Sequence, residues 1–429
     1  MRKRTSFPPV YWVANTIEIL ERYTYYGIYI GFAVYMNFLG FKESQLGPIQ
    51  SIFLTLTYLV PIFSGTFADK YGFKKILIIS YLAYLPSVLL LLYTKSLSGI
   101  ALTMLCIGFA AGIFKPLIAG TIRAVTDKTN KTVGFGIFYQ MINVGATFGP
   151  LISGYLRAIS WHHAFIASAI SVGLMLTITL IFYKEPPRDI QGETLGKKFR
   201  DIGIALSDIK FSVFLLIIGV FFWTPLWAFI NLNSIYIDQY LDTANLYLSI
   251  KSVLGTTIAN FVSHPDVHGV RRVMGETISS SAYFIIFLQF VVSYICEKFN
   301  AIYVFIIGML IAALGFLFLA FAFFWIPSLV FLGVFLFAVG EMSTSPRIQE
   351  YITWLAPKEK AGLYMGTNFL ATGLGGFLSG FIYTSAFGWF KGMGHPEYVW
   401  YTLAAHYVIG VVVIHFYTKS VGHFKELEA

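Results

Sequence analysis

Near the start of the chain, Glu18-Ile19-Leu20-Glu21-Arg22-Tyr23-Thr24-Tyr25-Tyr26-Gly27 gathers more chemistry than any other stretch. On a helix, Glu18, Glu21, Arg22, Tyr25, Tyr26 and Tyr29 fall within an arc of roughly 140°. One face then offers two carboxylates, a guanidinium and three phenols. Such a set can carry a proton, bind an opposite charge and hydrogen-bond a polar ligand. Two further charges interrupt otherwise apolar runs: Lys115 in Gly112-Ile113-Phe114-Lys115-Pro116, and Glu341 in Gly340-Glu341-Met342-Ser343-Thr344-Ser345-Pro346. Carboxylates opposed to Arg22 and Lys115 suit a zwitterionic ligand and a titratable proton carrier. By contrast, His264-Pro265-Asp266-x-His268 has no third strong ligand nearby, so no metal is expected there. Cys106 and Cys296 have neither a CxxC partner nor zinc-ligand spacing. HExxH, GxSxG and nucleotide-binding motifs are missing, so neither an enzyme nor a cofactor is expected.

The elements that position these groups follow from composition. Of 429 residues, 57% are hydrophobic and 12% charged, against about 25% charged in soluble proteins. Mean hydropathy is +0.71. That excludes a soluble, disordered or disulfide-scaffold protein and leaves a polytopic membrane protein in a lipid bilayer. Runs such as Ala301–Trp325 are long and unbroken, so the spans are helices, not barrel strands. Twelve are expected, at 10–39, 46–68, 76–94, 98–124, 133–156, 161–183, 211–240, 274–295, 300–324, 327–352, 361–387 and 397–417. The net charge of +9 divides by position: 19 of the 30 Lys and Arg fall on one face and 7 on the other. This bias places both termini in the cytoplasm and explains the basicity without a nucleic-acid partner. Inside hydrocarbon each ionisable residue costs several kcal/mol unless paired or wetted, which makes Glu18, Glu21, Arg22, Lys115 and Glu341 the functional signal.

Six expected spans precede the polar stretch 184–210 and six follow it. Asp69-Lys70 matches Glu297-Lys298 at an offset of 228 and Gly112 matches Gly340 at the same offset; Ser153-Gly154-Tyr155 matches Ser379-Gly380-Phe381 at 226. The expected organisation is an N-terminal bundle, 1–183, a cytoplasmic linker, 184–210, and a C-terminal bundle, 211–429. Gly65-Thr66-Phe67-Ala68-Asp69-Lys70-Tyr71-Gly72-Phe73-Lys74-Lys75 resembles the GxxxDxxGxxK loop of major facilitator transporters. Gly65 would admit a neighbouring helix there, and Asp69 would meet a helix N-terminus. The resemblance implies the major facilitator fold: all-α, twelve transmembrane helices in two six-helix bundles.

Glu18-x-x-Glu21-Arg22-Tyr23-x-Tyr25-Tyr26-Gly27 is also similar to the ExxERFxYYG motif of the proton-dependent oligopeptide transporters. Tyr58-Leu59-Val60-Pro61-Ile62, Lys115-Pro116, Phe138-Tyr139-x-x-Ile142-Asn143-x-Gly145, Glu341-x-x-x-Ser345-Pro346 and Leu355-Ala356-Pro357 extend the likeness. It implies proton coupling at Glu18 and Glu21 with Arg22 as their partner. It also implies a peptide carboxylate at Arg22 and Lys115, a peptide amine at Glu341, and a pocket of Tyr25, Tyr26, Tyr58 and Asn143. Gly65, Asp69, Gly72, Pro116, Ser345 and Pro346 would serve gating. The chain departs from the family at helix 7, which lacks the usual glutamine, and at helix 8, with Ser279-Ser280-Ser281 where Asn-Pro is common. The implied function is monomeric, proton-coupled import of small peptides by alternating access. A major facilitator carrier of an amino acid, peptide conjugate or drug, working by antiport, is the alternative.

Overall fold

The computed structural model describes residues 7–127, 130–186, 194–356 and 361–421, without the side chains of Thr132, Ala361 and Gly362. Pro357, the stretch 187–193 of the central connection, Arg2, Lys3, Arg4 and Lys425 lie outside them. Among the described residues, eleven helical segments are long and apolar enough to cross a membrane. The helix bearing the acidic motif, α1 (Pro9–Phe38), adds 30 residues. Together they make the twelve expected spans.

By contacts the chain forms two compact units: Met1–Phe41 with Ile52–Lys197, and Lys42–Ser51 with Lys198–Ala429. The first holds α1, most of α2 (Glu43–Tyr71), α3 (Phe73–Leu90), α4 (Leu97–Ala124), α5 (Lys131–Ile159) and α6 (Trp161–Ile181). At one end of this unit α3 and α6 cap each other. Gly72, at φ 102°, turns the chain into α3. The Glu185 carboxylate accepts the first two N–H groups of α3, from Phe73 at 2.7 Å and Lys74 at 2.9 Å. In return Lys74 Nζ donates to the Leu180 carbonyl in the last turn of α6, at 3.0 Å. A carboxylate suits the positive end of a helix and a cation the negative end. Glu185→Ala is expected to remove about 1 kcal/mol and lower the melting midpoint in detergent by a few degrees, with Glu185→Gln in between.

Helix α7 (Leu195–Ser207) is amphipathic and precedes the second unit's spans. The first of those is α8 (Ile209–Ile218) continued through a π-helical turn at Gly219–Trp223 into α9 (Thr224–Tyr240). The sequence suggests uninterrupted spans at 211–240, 274–295 and 361–387, and the structure modifies all three. The first carries that π turn, where Thr224 Oγ1 donates to the Gly219 carbonyl at 3.0 Å. The second is broken into α11 (Gly275–Ile278) and α12 (Ala282–Cys296). The third has a π turn at Ser379–Thr384 between α15 (Ala361–Leu378) and α16 (Ser385–Gly392). The spans α13 (Ala301–Phe324), α14 (Leu329–Leu355) and α17 (Tyr398–Val421) complete the unit.

The first turns of α2 are tied into this second unit by polar contacts. Ser51 donates to the Phe377 carbonyl at 2.6 Å and Thr384 to Gln50 Oε1 at 2.8 Å; Lys391 pairs with Glu43 at 2.8 Å. Nothing in the sequence marks this sharing of α2 between the units.

The segment 241–273, expected as a plain external connection, contains α10 (Thr243–Phe261), kinked at Gly255, and a two-stranded hairpin, β1 (Ser263–Pro265) and β2 (Arg271–Val273). Asp266 closes the hairpin, accepting N–H groups of His268 and Val270 and pairing with Arg272 at 2.8 Å. The Arg272 bond holds the Asp266 carboxyl below its usual range. Its oxygens are thus engaged in the turn.

Candidate functional site

The acidic face of α1 is built against α5. A Cβ placed on Gly145 would lie 2.6 Å from the Ile19 carbonyl, so only glycine admits α1 this closely. The contact seats one turn of α1, Glu18 to Arg22, in the interior. Glu18 and Glu21 are fully buried and Arg22 nearly so. Arg22 Nε donates to Glu18 Oε1 at 2.7 Å, the spacing of a helical i,i+4 pair, and Arg22 Nη1 lies 3.3 Å from Glu21 Oε2. One guanidinium thus serves two carboxylates. Glu18 Oε2 and both Glu21 oxygens lack a hydrogen bond among the described residues. Buried oxygens of this kind require a donor, and a proton, a water or a ligand can supply one.

Lys115, on α4, reaches the same region without joining the ion pairs. Its ammonium stands 3.9 Å from the ring centre of Tyr58 on α2 and 5.2 Å from that of Tyr25 on α1. Among the described residues no carboxylate lies within ion-pair distance of it. Tyr25 is fixed in turn by Tyr29, stacked at 5.9 Å, by Tyr26, edge-on at 5.1 Å, and by Phe53 at 5.6 Å. An ammonium over two phenol rings is held by their negative faces, worth about 2 kcal/mol when desolvated. It is partly exposed and free to meet an anion.

The structure therefore brings Glu18, Glu21, Arg22, Tyr25, Tyr26, Tyr58 and Lys115 into one cluster within the first unit. Asn143 is buried on α5, its amide spent on the Tyr139 carbonyl at 2.9 Å. Pro116 follows Lys115 inside α4 without ending it. A Cβ at Gly65 would meet only Pro116 among the described residues, at 3.9 Å. The tight approach of α2 to α4 is instead at Gly112, where an added Cβ would meet the Leu56 carbonyl and Val60 at 2.8 Å. The α3 N-terminus near Asp69 is capped by Glu185, a residue that sequence reasoning missed.

Glu341 belongs to the second unit, on α14. Its Oε2 accepts a hydrogen bond from Ser281 at 3.0 Å, where the broken span restarts as α12. The serine triplet that reads as the loss of a family feature thus contacts the predicted ligand acid. It also accounts for the break. Ser280 Oγ accepts the Ala282 N–H at 3.2 Å, Tyr283 donates to the Thr277 carbonyl at 2.7 Å, and Asn233 of α9 donates to the Ser279 carbonyl at 2.9 Å. Each backbone group freed by the break needs such a partner at membrane depth. Ser281 and Asn233 were missed; three consecutive serines inside an apolar span were the available signal. Ser345 and Pro346 sit one turn beyond Glu341, and α14 continues through the proline.

Comparisons with known proteins agree on architecture. Among solved structures, a POT family transporter in complex with a thioalcohol-conjugated peptide superposes with a TM-score of 0.77. It is 19% identical, and 96% of each chain is covered. The nucleoside transporter NupG gives 0.72 at 14% identity, covering 95% of this chain and 99% of its own. At these identities the likeness is one of fold. Among curated sequences, the class H tetracycline resistance protein of Pasteurella multocida is 30% identical over 142 residues, 33% of this chain and 35% of that protein. Quinolone resistance protein NorA of Staphylococcus aureus (strain MSSA476) is 26% identical over 220 residues, 51% of this chain and 55% of its own. The chain thus spans about half or less of the length of these relatives. The family model described as Major Facilitator Superfamily matches residues 16–380, from the acidic motif of α1 to the π turn after α15. This chain, a multi-pass membrane protein, belongs to the Major Facilitator Superfamily.

Proposed function

We propose that the protein is a proton-coupled symporter that imports small peptides, di- and tripeptide-like zwitterions, by alternating access as a monomer in the plasma membrane, with both termini cytoplasmic. The observation that carries this reading is the division of labour in the first unit. Arg22 is committed to two buried carboxylates, while the Lys115 ammonium rests on phenol rings, outside salt-bridge range of either. A proton arriving on Glu21 weakens its hold on Arg22 and leaves two cations, Arg22 and Lys115, to receive a substrate carboxylate. Glu341, held by Ser281, supplies the counter-charge for a substrate amine. Departure of substrate and proton to the cytoplasm restores the ion pairs and resets the carrier. The fold shared with a transporter solved with a peptide conjugate supports the same substrate class.

Proton-driven export of drugs is the second reading, favoured by the names of the curated relatives, resistance proteins for tetracycline and quinolones. A binding panel separates the two. Di- and tripeptides are expected to raise the melting midpoint of the purified carrier, whereas peptides amidated at the C-terminus or acetylated at the N-terminus leave it unmoved. Stabilisation by amphiphilic cations alone would favour export.

A further inference from the structure

The span that contains the first π turn carries a proline just beyond it. In a regular helix the Val220 carbonyl would accept the N–H of residue 224. Here the Thr224 N–H goes instead to the Gly219 carbonyl, five residues back. The next donor in that five-residue pattern would be residue 225, which is Pro225 and has no N–H. The Val220 carbonyl is thus left without a backbone donor inside an apolar span, where water cannot serve it.

A partner stands on α17. Gly410 brings that helix close, since an added Cβ there would lie 2.7 Å from Phe221 Cβ. One turn earlier, His406 packs edge-on with the Phe221 ring, 5.2 Å between centres. The Val220 carbonyl is the backbone group within reach of the imidazole. Nδ1 is already bonded to the hydroxyl of Tyr383, a buried residue of the second π turn. Nε2 is shielded from solvent and closes no hydrogen bond of its own among the described residues. One imidazole therefore stands between the two π turns.

We propose that His406 is the positioning residue for both turns. As the neutral tautomer with its proton on Nε2, it accepts the Tyr383 hydroxyl at Nδ1 and donates to the Val220 carbonyl that Pro225 leaves unserved. Register is what this secures, because a π turn adds one residue and rotates everything beyond it by about 100°. Beyond the first turn, Asn231 Nδ2 donates to Ser379 Oγ at 3.1 Å, where the second turn begins. Without His406 the first turn loses its outer support and Asn231 its alignment. The role concerns the helices themselves and does not depend on the substrate.

A cross-link between the turns reads that alignment. The chain has two cysteines, so Cys106→Ser with Cys296→Ser clears the background. Asn231→Cys with Ser379→Cys then sets two thiols where the contact stood, and copper phenanthroline drives disulfide formation in detergent. His406→Phe keeps a ring against Phe221 but neither hydrogen bond, and is expected to slow cross-linking about tenfold. His406→Gln retains a donor near the place of Nε2 and should stay within about threefold of the parent. Tyr383→Phe, a smaller change, should slow the reaction in the same direction and carries the test alone if His406→Phe does not fold. Pro225→Ala restores the N–H that the π turn directs at residue 220, so in that background His406→Phe should have no further effect. An unchanged rate in His406→Phe or Tyr383→Phe would overturn the assignment. So would an equal loss in His406→Gln, or the same drop in the Pro225→Ala background.

Discussion

Glu21→Gln is expected to uncouple the carrier: substrate exchange across the membrane continues, while accumulation driven by a proton gradient falls by about tenfold or more. The expectation rests on placement. Glu21 is fully buried, touches Arg22 at 3.3 Å and has no hydrogen bond to either oxygen among the described residues. Glutamine keeps the volume and removes the group that can take and return a proton. Arg22 retains Glu18 at 2.7 Å, so the substitution does not leave a buried guanidinium unpaired, which would cost about 3–5 kcal/mol. The fold should therefore survive, and counterflow of labelled substrate in proteoliposomes is the control. Glu18→Gln takes away the closer partner of Arg22 and should lower stability as well as transport.

The second large effect belongs to Lys115→Ala. A charge-assisted hydrogen bond to a substrate carboxylate contributes about 2 kcal/mol, so Kd for a dipeptide should rise about 30-fold. Folding should change little. The alanine forfeits the contact with the Tyr58 and Tyr25 rings but also relieves the partial burial of an ammonium, and these effects oppose each other. Lys115→Arg retains the charge in a larger, planar group and should bind with intermediate affinity. Equilibrium binding on purified protein measures all three. A Kd unchanged in Lys115→Ala would mean that the substrate carboxylate is held by Arg22 alone, or that the substrate has none.

The sequence made some of this legible and hid the rest for physical reasons. Membrane helices are written by long apolar runs, because hydrocarbon admits no unpaired backbone, and charges within them stand out against that background. Glu18, Glu21, Arg22 and Lys115 are therefore readable one at a time. The pairing of Arg22 with Glu18 and Glu21 along one helix is readable too, but contacts between helices are not, since they depend on how helices turn toward one another. Lys115 lies on Tyr58, 57 positions away in the chain, and no periodicity gives that contact. Interruptions were equally hidden. The break at Ser279–Ser281 depends on Asn233, from another helix, donating to the freed carbonyl of Ser279. The π turns at Gly219–Trp223 and Ser379–Thr384 shift register inside runs that stay apolar throughout. Glu185 reads as one more acid in a polar linker, and only the fold brings it to the start of α3.

The central claim is that protons and substrate move together through the cluster on α1, and the direction of flux tests it most directly. Purified protein in liposomes, alkaline inside and acidic outside, should accumulate a labelled dipeptide above its external concentration. Dissipating the gradient with a protonophore should abolish that accumulation. Expulsion of substrate under the same gradient, or uptake indifferent to it, would contradict proton-coupled import and assign the buried carboxylates another role.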